Sequence, residues 1–554
     1  MPLDLASVRV AGHGPLSASI VVVIDAVTPD DAWKQKILGG KMGDFYLNLL
    51  SESGIIPAEV YFTSVLKKVE PKPDELYSQT KTKAQKLGLS VAMHETWVHP
   101  RLEQAIHMLR EELSLLSPRA VIAVGDLAMF ACAGVYGSVD TWRGSLLEPQ
   151  WFSDAVVVPT YPPAEIMKRW EIKGFCARDL ARAKDASLRP QWYRYPTYDF
   201  IIRPSFEQAQ GVLLSLLAHV LSGKRLKLSC DVETIARMIS CVGIAWSARE
   251  AMCIPFMGAD GHYWEFEEEF ALTCLLKELL THPNTEVVGQ NFNYDHQHFA
   301  KHYGFLPRLT FDTMIAQHVL FPGLPKALDF LSSMYCHWHR YWKDELNDYS
   351  RLPANLPQYW TYNCKDCVVT FEVAGVLDEL LDICNRRPQF EFMMETGASA
   401  LQMMLRGIRV DQQARGVIAS RLMEVISEYD ALIQDIVGFP LNVGSAKQMK
   451  DFFYGELQLP VQLDKKTKQP TLSSKALGIL AQKEPILGPL VELIEKKRSV
   501  GVFLKTFCLM PLDTDGRMRC SFNACGTETF RFSSSENAMG SGGNLQNLPQ
   551  GEDR

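Results

Sequence analysis

The feature that most constrains this chain is the stretch Lys227-Leu228-Ser229-Cys230-Asp231-Val232-Glu233-Thr234, where an apolar run leads into two carboxylates two residues apart. Period-two alternation puts Asp231 and Glu233 on the same face of a strand. Two acids side by side repel, and resist being ionised together unless a cation sits between them. Taken alone, the pair is equally what a solvated strand face looks like. Three further segments offer to complete a site. Asn291-Phe292-Asn293-Tyr294-Asp295 follows the apolar strand Val287-Val288-Gly289 and is read as ending a helical pattern. Asp312-Thr313-Met314 opens an apolar helix, and Tyr362-Asn363-Cys364-Lys365-Asp366 places Tyr362 and Asp366 four apart, on one helix face.

Together these segments resemble the three motifs of the DEDD-type 3′–5′ exonucleases, in the form with a Tyr four residues before the last Asp. Their order and spacing favour a nuclease over a solvated face. Hydrolysing a phosphodiester requires water to attack an anionic phosphorus and an alkoxide to leave. Two divalent ions roughly 3.5–4 Å apart serve both needs, and hard oxygen ligands suit Mg²⁺ or Mn²⁺. The resemblance implies that Asp231, Glu233 and Asp366 hold the ion nearer the attacking water. It implies that Asp231 and Asp295, the latter partly through water, serve the second ion. Tyr362 would orient the water, and Thr234 and Asn291 would position the terminal nucleotide.

The region around this motif, about residues 195–386, reads as a ribonuclease-H-like exonuclease domain. Leu226–Asp231 and Met238–Trp246 look like paired strands, Met252–Phe256 continues the sheet, and a helix over 266–281 precedes a strand over 286–289. A competing motif lies inside it. Cys364-Lys365-Asp366-Cys367 is a C-x-x-C, and with Cys336, His337 and His339 it can be drawn as a zinc site. Against that, Asp366 stands where the nuclease motif requires it, and cysteine serves as a small hydrophobe. The run from His337 to Trp342 is read either as a strand-binding surface or as ordinary helix packing.

Bulk numbers agree with a multidomain α/β protein. A chain of 554 residues, 47% apolar and 22% charged, fits about three or four domains. A net charge of −7 excludes a uniformly basic nucleic-acid coat but not local grooves. Thirteen scattered cysteines argue against a secreted disulfide framework and for a reducing cytoplasm. No run of 18 apolar residues appears, so no membrane span is expected, and Met1-Pro2-Leu3-Asp4 opens no signal peptide.

Residues 1–190 alternate apolar strands (20–24, 60–66, 121–125, 156–161) with helical patterns, the signature of a mainly parallel sheet. Val60-Tyr61-Phe62-Thr63-Ser64-Val65-Leu66-Lys67, Pro118 to Gly125 and Thr160-Tyr161-Pro162-Pro163-Ala164 resemble the uracil-DNA glycosylase superfamily. The departures fall at the chemistry. Ile24-Asp25-Ala26-Val27-Thr28 replaces the Gly-Glu-Ala-Pro-Gly loop, Ser64 replaces the Asn that reads the flipped base, and Pro162-Pro163 replaces a His-Pro pair. The expectation is the fold without the activity, as a DNA- or uracil-sensing module or a docking platform. Gln191 to Pro196 reads as a linker.

Residues 388–554 look mainly α-helical. Met394, Ala398, Leu401 and Leu405 recur at helical spacing up to Gly407. Asp411 is placed as the N-cap of a long helix whose stripe Ile418, Leu422, Ile426, Tyr429, Ile433 and Ile436 is assigned to core. Lys465-Lys466-Thr467-Lys468 is a basic loop and Lys496-Lys497-Arg498 is read as ending a helix; both suit backbone phosphates. Thr527-Glu528-Thr529-Phe530-Arg531-Phe532-Ser533-Ser534-Ser535 and Asn544-Leu545-Gln546-Asn547-Leu548-Pro549 resemble family A DNA polymerases, with Phe530 in place of a Gly. The resemblance implies a thumb with part of a palm. It makes Arg531, Ser534, Asn544, Gln546 and Asn547, with Lys496 and Arg498, contacts to DNA.

In that family the palm's metal-binding aspartate lies beyond the point where this chain ends at Gly551-Glu552-Asp553-Arg554. The expectation is a chain that does not polymerise alone. The remainder would be a second polypeptide carrying palm and fingers, or a reading frame broken by an intron, intein or frameshift. The whole is read as the N-terminal part of a family A DNA polymerase of bacteriophage type, a cytoplasmic 3′–5′ proofreading exonuclease acting on primer–template and on single-stranded 3′ ends. The rival readings are a non-catalytic DNA-binding subunit and a stand-alone repair exonuclease.

Overall fold

The computed structural model describes residues 5, 7–150, 155–193, 195–345, 353–464 and 467–547. Lys465, Lys466, Leu548 and Pro549, and the chain's two ends, lie outside them. Contacts divide the chain into two units, Met1–Phe292 with Pro307–Phe390, and Asn293–Leu306 with Glu391–Arg554.

The first unit holds two large sheets. In the N-terminal one, strands Val60–Val69, Ile20–Val27, Ala120–Val124 and Val156–Thr160 lie side by side in that order, all parallel. Helices cover both faces, which is why these strands read as unbroken apolar runs. Ile20, Val22 and Ile24 face one core with Phe62, Ile122 and Val158. Val21 and Val23 face the other with Val65, Val121 and Val157. A small antiparallel sheet over Tyr77–Ser78, Val91–Met93 and Thr96–Val98 went unforeseen, its strands being too short to show a period.

The second sheet has six strands in the order Leu309–Asp312, Thr285–Gly289, Leu226–Ile235, Met238–Ala245, Glu250–Pro255, Asp199–Ile201. The three strands from Leu226 to Pro255 are antiparallel. Thr285–Gly289 and Leu309–Asp312 then add in parallel, the order a ribonuclease-H-like domain requires.

Across this sheet lies the 28-residue helix Leu356–Ile383, whose first turn is capped by Asn355. Gly243 lets it come close: a Cβ there would meet Asn363 Oδ1 at 2.4 Å and Cys367 Sγ at 2.6 Å. Cys241, Cys253, Cys364 and Cys367 fill that contact as small hydrophobes within one core. All thirteen cysteines are free thiols.

The second unit is mainly helical. Arg387–Arg406 ends at Gly407, where φ is +65°, and Asp411 caps Gln412–Val437 by accepting from the N–H groups of Gln413 and Ala414. The stripe on that helix is only partly core: Ile433 is buried at 0% exposure, whereas Ile436 is 52% exposed. The close packing falls instead around Phe452, Phe453, Leu477, Leu480 and Ile494, with Ile433 as the long helix's contribution. Lys496–Arg498 lies inside the helix Gly488–Phe503 and does not end it. No helix among the described residues is long and apolar enough to cross a membrane.

Candidate active site

Asp231 and Glu233 sit on the strand Leu226–Ile235, directed to the face that the helix Leu356–Ile383 covers. That helix delivers Tyr362, Asn363 and Asp366 from one side, since residues three and four apart share a face. One carboxylate oxygen from each of Asp231, Glu233 and Asp366 can be chosen so that all lie within 4.8 Å of one another. Among the described residues this is the group of His, Cys, Asp and Glu side chains that comes within ligating reach. Nothing comparable forms from Cys336, His337, His339, Cys364 and Cys367, and the zinc alternative falls.

Packing three acids together has electrostatic consequences. Burial, then the Asp366 charge, pushes the Asp231 carboxyl up to about 7. Burial, then Asp231 and Asp366, holds Glu233 well above the usual carboxylate range. Both keep part of their surface accessible, so an ion can reach them. Asn363 donates to Asp231 Oδ2 at 2.9 Å and fixes its rotamer. Trp342 Nε1 donates to Asp366 Oδ1 at 2.7 Å, and Lys343 Nζ to Asp366 Oδ2 at 2.5 Å and to the Tyr362 hydroxyl at 2.7 Å. Burial lowers the Lys343 ammonium's pKa, but Asp366, Asp231 and Glu233 outweigh it and raise it. Sequence reasoning missed Trp342, Lys343 and the role of Asn363. Only Asn363 carried a signal, one helical turn before Asp366.

Asp312 is not a ligand. It is 2% exposed, and its carboxylate accepts from the backbone N–H groups of Asn291, Phe292, Met314 and Ile315 at 2.8–3.3 Å. It caps the helix Thr313–Leu320 and ties down the turn at Asn291, whose φ is +55°. Thr234 stands beside Glu233 on the strand. Asp295 is outside the three-acid group. It is buried in the first turn of the helix Asn293–His302, in the second unit. The segment 291–295 therefore opens a helix where the sequence reading had it ending one, because Asn291 in the left-handed region makes the turn from strand to helix.

In the second unit the residues read as DNA contacts divide. Ser534 donates to Asn544 Oδ1 at 2.5 Å; that oxygen also accepts the Gln546 N–H, and the Gln546 amide reaches the Phe532 carbonyl. Those three form one hydrogen-bonded patch beside the hairpin of Ser521–Asn523 and Ser533–Ser535. Arg531 is exposed next to it, and Asn547 closes the turn Leu545–Asn547. Phe530 takes φ +61°, the backbone a glycine favours, so the turn survives the substitution at a strain of about 1–2 kcal/mol. Lys496 pairs with Glu492, and Arg498 donates to the carbonyls of Leu472 and Val443, holding loops to its helix.

In the N-terminal domain, Asp25 Oδ1 accepts the Ala128 N–H at 2.7 Å, at the start of the helix Asp126–Ala133. Burial raises its carboxyl to about 7. A native value above the unfolded one means that stability is lost as pH rises from about 4 through 7. Asp25→Asn is expected to remove that loss. Its stability relative to the parent should improve between pH 5 and pH 8, with a ceiling of about 3 kcal/mol for the roughly two pH units that separate pH 5 from the raised value. Denaturant titrations at the two pH values check this, and a pH-independent difference would contradict it.

Three family models match the chain: the uracil DNA glycosylase superfamily over residues 12–184, a 3′–5′ exonuclease over 213–382 and DNA polymerase family A over 414–554. The chain carries a glycosylase-superfamily domain, a 3′–5′ exonuclease domain and family A polymerase sequence. The three-acid group lies inside the exonuclease match. Among curated relatives, DNA polymerase I of Synechocystis is 26% identical over 58% of this chain and 33% of its own length. DNA polymerase I of Rhizobium leguminosarum is 27% identical over 50% of this chain and 27% of its own. The chain thus spans between about a sixth and about a third of the length of the curated relatives it matches. A solved structure described as the POL domain of Pol1 from M. smegmatis with DNA primer-template and dNTP is 21% identical. It covers 64% of this chain and 57% of that one at a TM-score of 0.45.

Proposed function

We propose that the exonuclease domain removes nucleotides from DNA 3′ ends, as the proofreading activity of a family A DNA polymerase. What carries the reading is the convergence of Asp231, Glu233 and Asp366 from a strand and a helix more than 130 positions apart. Oxygen-only donors with raised affinity for a positive charge fit Mg²⁺ or Mn²⁺. Asp231, Glu233 and Asp366 would hold a divalent ion; when bound, it activates water and stabilises the leaving oxygen. Asp295 is kept as a candidate ligand of a second ion on the motif resemblance alone. Tyr362 is assigned to orient a water through its hydroxyl. Asn363 keeps Asp231 aimed at the cluster. Thr234 and Asn291 are assigned to the terminal nucleotide.

Arg531, Ser534, Asn544, Gln546 and Asn547 are assigned to primer–template, and Lys496 to a backbone phosphate. Arg498 is left as a structural tie. The glycosylase-superfamily domain, over about residues 1–190, is assigned no base excision. What supports this is the residue types: Ser64 stands where the superfamily carries its base-reading Asn, and Pro162, the N-cap of the helix Pro163–Lys168, has no donor to offer where the superfamily carries a His. The compartment implied is the cytoplasm of a bacterium, or of a bacteriophage host. A second polypeptide carrying palm and fingers finds no support in the comparisons and is not part of the reading.

The test is a 5′-labelled single-stranded oligonucleotide with Mg²⁺. Stepwise shortening from the 3′ end, stopped by EDTA, is expected. Binding without shortening in either Mg²⁺ or Mn²⁺ would leave only a DNA-binding subunit. With EDTA present to stop shortening, a uracil-containing strand should stay intact after alkali.

A further inference from the structure

The segment Cys336–Trp342 has no helix or strand of its own, yet it carries Trp342 and Lys343 onto Asp366 and Tyr362. A buried irregular segment must find partners for its backbone groups. Here the N-terminal domain supplies them. Arg182, 1% exposed, donates to the Cys336 carbonyl at 2.9 Å and to the Gly144 carbonyl at 2.7 Å. Leu146 N–H reaches the His339 carbonyl at 2.7 Å, and the Tyr341 N–H reaches Ser145 Oγ at 3.1 Å. Arg143 grips Ser333 Oγ at 2.8 Å while bound to Asp179, which also accepts from Thr160. Trp142 meets the Tyr341 ring edge-on at 5.3 Å.

Ordinary domain packing would put side chains against side chains. These contacts instead seize main-chain atoms at residues 336, 339 and 341, the last of them one residue before Trp342. Arg143, Asp179 and Arg182 are each under 4% exposed, and buried charges are retained at a desolvation cost that packing alone does not repay. Burial, then the charges of Arg182 and Arg143, keeps the His339 ring neutral; its Nδ1 meets Ser332 Oγ at 2.9 Å.

Resting on the exonuclease reading, we propose that the glycosylase-superfamily domain is a positioning element of the exonuclease site. It holds the 336–343 segment so that Trp342 and Lys343 fix the orientation of Asp366 and Tyr362. Arg182, Arg143 and Ser145 act through that segment and touch no substrate.

The test uses the full chain with Arg182→Met, Arg182→Lys and the milder Ser145→Ala. Two readouts are taken: hydrogen exchange of peptides spanning 336–343, and the kinetics of 3′ digestion of a single-stranded oligonucleotide. In Arg182→Met the peptides should exchange faster and kcat should fall about tenfold with KM within about twofold, a rise of roughly 1.4 kcal/mol in the barrier. Arg182→Lys, which keeps a cationic donor, should recover most of that loss. Ser145→Ala should move both readouts the same way by a smaller factor, and it decides the matter if Arg182→Met does not fold. Faster exchange at 336–343 with unchanged kcat overturns the proposal, as does unchanged exchange in a folded variant. A parent chain that releases no nucleotide would sink the exonuclease reading instead. The exchange data would then still show whether this domain holds the segment.

Discussion

Asp231→Ala and Asp366→Ala are each expected to lower nucleotide release from a DNA 3′ end by roughly 10³-fold or more while leaving DNA binding near the parental level. Each change deletes an oxygen donor from a group whose three members lie within 4.8 Å. No neighbour can replace it: Asp312 is engaged by four backbone N–H groups, and Lys343 is a cation. Asn363→Ala is a useful contrast. It removes only the amide that aims Asp231, and loss of such a supporting partner typically costs about 10–100-fold. In metal-free buffer the acids repel one another, so Asp231→Ala should relieve repulsion, whereas Asp366→Ala also gives up the Trp342 and Lys343 contacts and should melt lower. Rates from labelled oligonucleotides, paired with binding measured in EDTA, check the series. Parental digestion by the Asp231→Ala, Asp366→Ala double variant would remove the site from consideration.

The second large effect is on metal affinity as a function of pH. Asp231 is held at about 7 by burial and then by Asp366, and Glu233 is raised by burial and then by Asp231. The metal-free site therefore keeps a proton below about pH 7, and a divalent ion must displace it. Affinity is expected to rise with pH up to that point, about tenfold per pH unit for each proton released, and to level off above it. Mn²⁺ titrations followed by electron paramagnetic resonance at pH 6 and pH 8 should differ by about tenfold or more. Equal affinities would mean that the Lys343 ammonium already satisfies the acids. The same comparison in Lys343→Met separates the two accounts, because removing that cation strengthens the pH dependence.

Much of this was legible in the chain itself, for identifiable reasons. Unbroken apolar runs such as Ile20–Val27 report strands covered on both faces, and the two cores sharing that strand bear this out. Period two placed Asp231 beside Glu233, and the four-residue step placed Tyr362 beside Asp366. Gly243, which lets the helix approach, sits opposite Asp231 in the antiparallel register. What escaped was set by tertiary packing. Trp342 and Lys343 come from a segment with no period of its own, held by partners near residues 143–146 and 182. Asp312 has the chemistry of a ligand, and only its four backbone donors show that it is a cap. Ile436 fits the apolar stripe of its helix yet is exposed, because the unit's core closes around Ile433.

The central claim, that these acids exist to hold divalent metal, is tested most directly by anomalous diffraction from crystals grown with Mn²⁺. An anomalous peak within bonding distance of Asp231, Glu233 and Asp366, with Lys343 displaced from Asp366, is the predicted result. A fully occupied Lys343–Asp366 pair and no peak at the cluster, in crystals that bind Mn²⁺ elsewhere, would contradict it.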